Sequence, residues 1–267
     1  HRRLIPPLPH LITAPPPVPF HLRREGNAVG EEFEGRDLSE SVFWGVDLRR
    51  AHFRDVDLSG STFFHVALSD VTIDGVVDRL VVNGVDVTDH VNANDRWYPL
   101  RTMLQPSDEA GIRSAWSLIA AEWAALADRA ARLDPTLLLE SVNGEWSYRD
   151  TLRHLVFAVD KWFCWPILGA RTFSPIGLSN TGSRDLEWPG VERGADPGLA
   201  EAQSEWARYA ARFTEYLAGV DLAALPTESE VLENGTEPTL MCFHVVLEET
   251  FEHLRYAMRD LEVLTRR

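Results

Sequence analysis

Lysine, cysteine and long apolar runs are all scarce in this sequence of 267 residues. Lys161 is the only lysine, and acidic residues outnumber basic ones by 41 to 26, which gives a net charge of −15. A chain this acidic is a poor match for the phosphate backbone of a nucleic acid or for an anionic membrane surface. The two cysteines, Cys164 and Cys242, imply no disulfide framework and favour a cytoplasmic location. Since no run of 18 apolar residues occurs, no membrane span is predicted.

The rest of the composition is that of a folded protein, with 45% hydrophobic residues and nine tryptophans. A chain of this length commonly forms two domains. Seven of the sixteen prolines fall within residues 1–20, which favours an extended polyproline II conformation over a packed core. We therefore expect residues 1–30 to form a proline-rich arm that lies along the body of the protein, or along a second subunit in a homodimer.

A five-residue period follows this arm. Phenylalanine and leucine alternate at that spacing until a final isoleucine, at Phe33, Leu38, Phe43, Leu48, Phe53, Leu58, Phe63, Leu68 and Ile73. Neither an α-helix nor a β-strand has a five-residue period. The spacing fits a four-sided solenoid in which each pentapeptide forms one side and each large residue stacks inside.

Three triplets within this period resemble the consensus of the pentapeptide-repeat family: Asp37-Leu38-Ser39, Asp47-Leu48-Arg49 and Asp57-Leu58-Ser59. The resemblance implies a short right-handed quadrilateral β-solenoid over residues 31–95. Nine repeats make little more than two coils, so neighbouring structure has to cap the stack. Residues 80–87 alternate around an Asn83-Gly84 pair, which predicts a capping β-hairpin.

Helical patterns dominate residues 105–267. Amphipathic periodicity predicts four helices, at about 108–133, 147–165, 198–217 and 239–264. Ser107 is the predicted N-cap of the first helix. A loop of about 30 residues separates the second helix from the third, and loops this long are usually functional or disordered. The predicted fold class is therefore α+β, a β-solenoid followed by a four-helix bundle.

Three side chains on the second and fourth of these helices form a candidate metal site. Glu249 and His253 are four residues apart, so they share one helix face. His154 lies among apolar residues of the second helix, where a buried imidazole needs a partner. Two histidines and one carboxylate suit Zn²⁺, Fe²⁺, Ni²⁺ or Mn²⁺ and leave positions open for water or substrate.

The order of these motifs resembles the DinB superfamily of metal-binding four-helix bundles. The resemblance is carried by Gly144-Glu145-Trp146-Ser147, Leu152-Arg153-His154-Leu155 and Glu249-x-x-x-His253. Many members have a third histidine where this chain has Glu249, and the His, Glu, His version is similar to mycothiol-dependent maleylpyruvate isomerase. The resemblance implies a metal held by His154, Glu249 and His253, with Zn²⁺ favoured, and a small thiol such as mycothiol as cosubstrate.

Other residues near the candidate site have two interpretations each. Lys161, seven residues after His154, either receives an anionic substrate group or lies at the surface. Tyr256, on the helix of Glu249, either hydrogen-bonds substrate or packs in the bundle. Trp146 is either a bundle anchor or a platform for substrate, and Cys242 is either a core residue or a nucleophile.

Two functions follow from these patterns. The first is a metal-dependent thiol S-transferase or isomerase, in which a metal-activated thiolate attacks an electrophilic small molecule. No residue stands out as its general acid or base. The second is a non-enzymatic interaction or scaffold protein, with a structural metal site and a repeat segment that binds a partner or mimics DNA. About two coils would span only ~10 Å, which is short for DNA mimicry.

Overall fold

The computed structural model describes residues 30–53, 56–180 and 186–266. The chain divides into two units, residues 1–72 and residues 73–267. Most of the predicted N-terminal arm, residues 1–29, lies outside the described residues. No helix within the described ranges is long and apolar enough to cross a membrane.

In the first unit the five-residue period is present in the backbone. Left-handed φ angles recur at this interval, at Gly35, Glu40, Gly45, Arg50, Gly60, His65 and Asp70. The turns at residues 40, 50 and 60 are each closed by a backbone hydrogen bond, such as Ala51 N–H to the Leu48 carbonyl at 3.0 Å. An aspartate two residues before some of these turns accepts a backbone N–H, as Asp37 does from Ser39 at 2.9 Å.

The predicted β-solenoid is not seen among the described residues of this unit. Residues 30–53 and 56–72 contain no β-strand, and the eight repeat side chains from Phe33 to Leu68 are 43% to 64% exposed. A solenoid core forms only when successive coils stack on one another. Because the repeats supply only about two coils, each interior side chain would have one stacking neighbour at most. The predicted period is therefore present as a series of turns without a packed interior.

The second unit begins with the predicted hairpin. Strands β1 (Val81–Val82) and β2 (Val85–Asp86) pair antiparallel, with Val82 opposite Val85. The connecting Asn83 and Gly84 both have positive φ, 50° and 80°, as a two-residue type I′ turn requires. Two short helices that were not predicted follow, α1 (Thr88–Asn94) and α2 (Tyr98–Arg101).

Four long helices in the described part of this unit match the predicted ones closely. They are α3 (Glu109–Ala130), α4 (Tyr148–Val159), α5 (Leu199–Ala218) and α6 (Thr239–Thr265). The first begins one residue later than expected, because Asp108 and not Ser107 is its N-cap and accepts the Gly111 N–H at 2.7 Å. A π-helical turn, Asp160–Cys164, extends α4.

The four helices pack side by side in the order α3, α6, α4, α5, and α5 also contacts α3. Their shared core includes Ile112, Leu155, Phe213 and Phe251, which are all fully buried. Aromatic rings meet edge to face in this core, for example Trp116 and Phe213 with centroids 4.8 Å apart. The segment before α6 contains an unpredicted antiparallel hairpin, β3 (Glu228–Val231) with β4 (Gly235–Pro238). The unit is therefore a mostly helical domain of packed helices.

Candidate metal site

His154 owes its position to the start of α4. Ser147 caps this helix, since its hydroxyl oxygen accepts the Asp150 N–H at 3.1 Å. Two turns later, His154 points into the contact between α4 and α6, and its side chain is only 5% exposed. The neighbouring Leu155 and Val156 are fully buried. The imidazole is therefore fixed by a helix whose flanking residues belong to the apolar core.

Glu249 and His253 approach the same point from α6. Glu249 Oε2 lies 3.2 Å from His154 Nε2 and 3.2 Å from His253 Nε2. The ligand atoms offered by the three residues all lie within 4.8 Å of one another. Two ligands on a tetrahedral Zn²⁺, each about 2.0–2.2 Å from the metal, are roughly 3.3 Å apart. The spacing of these atoms therefore fits a divalent metal ion.

The hydrogen bonding of His154 supports the same interpretation. Its Nδ1 donates to the Leu178 carbonyl oxygen at 2.9 Å, and a carbonyl can only accept, so Nδ1 carries the hydrogen. In a neutral imidazole the lone pair is then on Nε2, which faces the Glu249 carboxylate. The lone pair of His154 Nε2 and the lone pairs of the Glu249 carboxylate would repel each other, unless a cation or a second imidazole proton lies between the nitrogen and the oxygen. His154 therefore has the arrangement that is usual for a metal-ligating histidine, in which one ring nitrogen donates to a backbone carbonyl and the other is free to bind the metal.

Glu249 combines an ionised carboxylate with partial access to solvent. Burial alone would raise the pKa of its carboxyl group. The facing imidazoles of His154 and His253, which hydrogen-bond to the carboxylate and attract it when they carry a second proton, outweigh burial and lower the pKa well below its usual range. The Glu249 side chain is 34% exposed, whereas the two imidazoles are at most 10% exposed. The two imidazoles are thus shielded from solvent, and the carboxylate lies on the exposed side of the cluster.

Trp146 covers both imidazoles. Its ring centroid lies 4.3 Å from that of His154 and 5.5 Å from that of His253, and it stacks nearly parallel to the latter. The Trp146 ring is partly buried beside the cluster, so it could either anchor the bundle or contact a substrate, and both interpretations stay open. Tyr256 also contacts His253, with the two rings edge to face at 5.8 Å. Both residues therefore border the candidate site.

Lys161 has partners of its own. Its ammonium group is 2.5 Å from Glu233 Oε1 and lies over the rings of Trp162 and Trp188, at 5.2 and 5.4 Å from their centroids. The side chain is 10% exposed, so it is not the surface lysine that one interpretation of the sequence expects. A substrate anion would have to compete with Glu233 for it, and a binding role for Lys161 stays a prediction.

Three other polar or thiol side chains of α6 do not join the cluster. Glu248 accepts a hydrogen bond from Gln105 at 3.1 Å, so Glu249 is the carboxylate that joins the histidines. His244 bonds the Pro106 carbonyl at 2.8 Å, as expected of a structural residue. Cys242 is fully buried, and burial raises its pKa to about 11. A buried neutral thiol with this pKa is a core residue and not a nucleophile.

Sequence reasoning missed two residues that support the site. The Leu178 carbonyl belongs to the long loop between α4 and α5, and Arg153 holds that loop in place. A backbone carbonyl has no sequence signature, because every residue carries one. The only signals in the sequence are the unusual loop length and the arginine next to His154.

This chain belongs to the DinB superfamily. The model of that superfamily matches residues 118–257, just over half of the chain. The match includes α4, the part of α6 up to residue 257 and the whole His154, Glu249 and His253 cluster. Pentapeptide repeats match in eight copies over residues 32–70. No curated protein and no solved structure matches the chain.

Proposed function

We propose that this protein is a metal-dependent enzyme that uses a low-molecular-weight thiol, mycothiol being favoured. It would either join the thiol to an electrophilic small molecule or isomerise that small molecule through a temporary thiol adduct. The observation that carries the proposal is the convergence of His154, Glu249 and His253 on one point, with the carboxylate side open. Membership of the DinB superfamily supports it, because of the resemblance of the His, Glu, His set to the thiol-dependent isomerases.

The three side chains would hold a divalent ion, Zn²⁺ being favoured over Ni²⁺, Fe²⁺ or Mn²⁺. The bound ion would supply the Lewis acidity that lowers the pKa of an incoming thiol and polarises a carbonyl group. The ligand set contributes a single negative charge, from Glu249, so a dication at the site keeps a net positive charge that attracts a thiolate. The 34% exposure of Glu249 marks the side from which the thiol would enter.

The residues around the ligands would orient the reactants. Trp146 lies against both imidazoles and would exclude water from that side of the site, which strengthens electrostatic interactions there. Tyr256, whose ring contacts that of His253, would donate a hydrogen bond to the thiol or to the electrophile. Lys161 would act only if a substrate carboxylate displaced Glu233.

A conjugation assay tests this proposal. Purified protein loaded with Zn²⁺ is incubated with mycothiol, bacillithiol or glutathione and a panel of conjugated carbonyl electrophiles, and adducts or isomers are detected by mass spectrometry. We expect turnover with at least one thiol and its loss in His154→Ala. The control is Glu248→Gln, which changes the adjacent carboxylate, bound to Gln105 and not to the cluster. Turnover that is unchanged in His154→Ala would refute the proposal.

A second candidate function is that of an interaction protein with a structural metal. The exposed apolar side chains of the repeat unit favour it, because exposed apolar surfaces of this kind commonly mark binding sites. Added thiol discriminates the two functions: a catalytic site should change the absorption spectrum of bound Co²⁺ when thiol is added. A structural site should leave that spectrum unchanged.

A further inference from the structure

Arg153, the residue before His154, is a buried cation with three directed contacts. Its side chain is 8% exposed. Nε donates to the Ile176 carbonyl at 3.0 Å, one terminal nitrogen donates to the Ala195 carbonyl at 2.8 Å, and the other pairs with Asp150 at 3.1 Å. All three guanidinium nitrogens are therefore used, and two of them hold the backbone of the loop between α4 and α5.

The two carbonyls lie on different arms of that loop. Ile176 belongs to the arm that leaves the end of α4, and Ala195 belongs to the arm that returns to α5. The arms are also bonded to each other, through Glu192 N–H to the Pro175 carbonyl at 2.9 Å. A planar guanidinium with donors in a fixed fork can bridge two such carbonyls, whereas a lysine ammonium is a compact charge on a flexible stem.

The outgoing arm carries the carbonyl that orients His154. Leu178 N–H donates to the Arg153 carbonyl at 3.2 Å, and the Leu178 carbonyl accepts from His154 Nδ1 at 2.9 Å. Between the two anchored residues, Gly177 packs so closely on α4 that an added Cβ would lie 3.5 Å from the Cβ of Phe157. Residues 176–178 are therefore hydrogen-bonded to α4 through both the side chain and the backbone of one residue, Arg153.

We propose that Arg153 is a positioning residue for the metal-ligand set. It holds the Leu178 carbonyl against His154 Nδ1, so the ring hydrogen stays on Nδ1. The lone pair of Nε2 is then directed at the point where Glu249 and His253 converge. The inference rests on the proposed function, because it assumes that the three residues bind a metal. It adds a residue that contacts neither the metal nor the substrate.

Zinc affinity tests this role. Dissociation constants are measured by competition with a chromophoric chelator for the wild-type chain, Arg153→Gln, Arg153→Lys and Arg149→Gln. Loss of a hydrogen-bonding partner behind a metal ligand typically weakens affinity roughly 10- to 100-fold. We expect a loss in that range for Arg153→Gln. Arg153→Lys should lose less, because lysine keeps the charge beside Asp150 and can still reach one carbonyl.

Arg149 is the matched control. It is one turn earlier on α4, pairs with the same Asp150 at 3.2 Å, and contacts the returning arm through Asp196 at 2.6 Å. It makes no contact with residues 176–178 in the described hydrogen bonds. Arg149→Gln should therefore bind Zn²⁺ within about twofold of the wild-type affinity, since its partners lie away from the segment that holds the Leu178 carbonyl on His154.

A second readout reports on His154 directly. In the zinc-loaded wild-type protein, the buried Nδ1 proton should appear in NMR spectra as a slowly exchanging resonance, since its hydrogen bond protects it. Arg153→Gln and Arg153→Lys should exchange it at least tenfold faster, and Arg149→Gln should not. Wild-type affinity together with an unchanged exchange rate in either Arg153 variant would overturn the positioning role. A wild-type chain that binds no Zn²⁺ would overturn the proposed function itself, a result that the variants cannot mimic.

Discussion

Replacing Tyr209 with phenylalanine removes one hydroxyl group from a buried carboxylate. Asp160, at the start of the π-helical turn after α4, is 2% exposed. The Tyr209 hydroxyl lies 2.8 Å from both of its oxygens, and the Ser174 N–H donates to it at 2.7 Å. Burial raises the pKa of Asp160, while the bonds from Ser174 and Tyr209 oppose that rise. Tyr209→Phe therefore leaves an ionised carboxylate with fewer donors.

The size of the effect follows from the charge on the acceptor. A hydrogen bond to a charged group contributes about 1.5–3 kcal/mol to stability. The hydroxyl has one proton to share between two oxygens, so we count one bond and expect a loss of about 2 kcal/mol at neutral pH. For a domain of roughly 200 residues this corresponds to a Tm about 4–8 °C lower.

The loss should also depend on pH, with a defined sign. Because the folded pKa of Asp160 is raised above 3.8, the folded state favours the protonated acid, and stability falls as the pH rises through that pKa. The Tyr209 hydroxyl stabilises the ionised form. The difference in unfolding free energy between wild type and Tyr209→Phe should therefore be small in acid and largest once Asp160 is ionised.

Urea unfolding followed by circular dichroism at several pH values measures this difference. Tyr216→Phe is the control, because Tyr216 lies on the same helix and packs its ring on Phe163 at 5.0 Å, and it should change stability by less than about 0.5 kcal/mol. A Tyr209→Phe deficit that is equal at all pH values, or no larger than that of the control, would show that the hydroxyl does not stabilise an ionised Asp160.

Three further predictions concern other parts of the domain. Glu249→His should still bind Zn²⁺, because an imidazole nitrogen is a common zinc ligand, whereas Glu249→Gln should weaken zinc binding at least roughly tenfold by chelator competition. Trp146→Leu uncovers both imidazoles and should speed chelator-induced zinc release, measured by stopped flow, without changing the circular dichroism spectrum. Asp74→Asn removes a carboxylate shared by two buried arginines, one of them Arg255. It should lower the free energy of unfolding in urea by about 1–2 kcal/mol, with the exposed Asp78→Asn as a near-neutral control.

Elements specified by local chemistry are predictable from the sequence. The bounds of α4, α5 and α6 follow from amphipathic periodicity and from the Ser147 cap. The Asn83-Gly84 turn follows from the left-handed φ angles that only a few residue types adopt easily. The four-residue spacing of Glu249 and His253 is enough to place two side chains of the candidate site on one face of a helix.

Features that depend on tertiary contacts are less predictable. No pattern in the sequence indicates that Arg255 is buried, yet its side chain is 8% exposed and pairs with Asp74 and Glu252. The β3–β4 hairpin lies where the nearby prolines suggest a plain linker. The repeat period predicts where the turns fall, but whether coils stack depends on contacts between coils, which a period within one coil does not determine.

The proposed chemistry depends on the binding of one divalent metal ion by His154, Glu249 and His253. Elemental analysis and X-ray absorption spectroscopy of the full chain, purified without chelator, measure this binding. We predict one metal ion per chain in a nitrogen and oxygen environment with two imidazole ligands, and loss of that metal in His154→Ala. A wild-type chain with only trace metal, or a metal bound by sulfur, would contradict the assignment of these three residues as metal ligands.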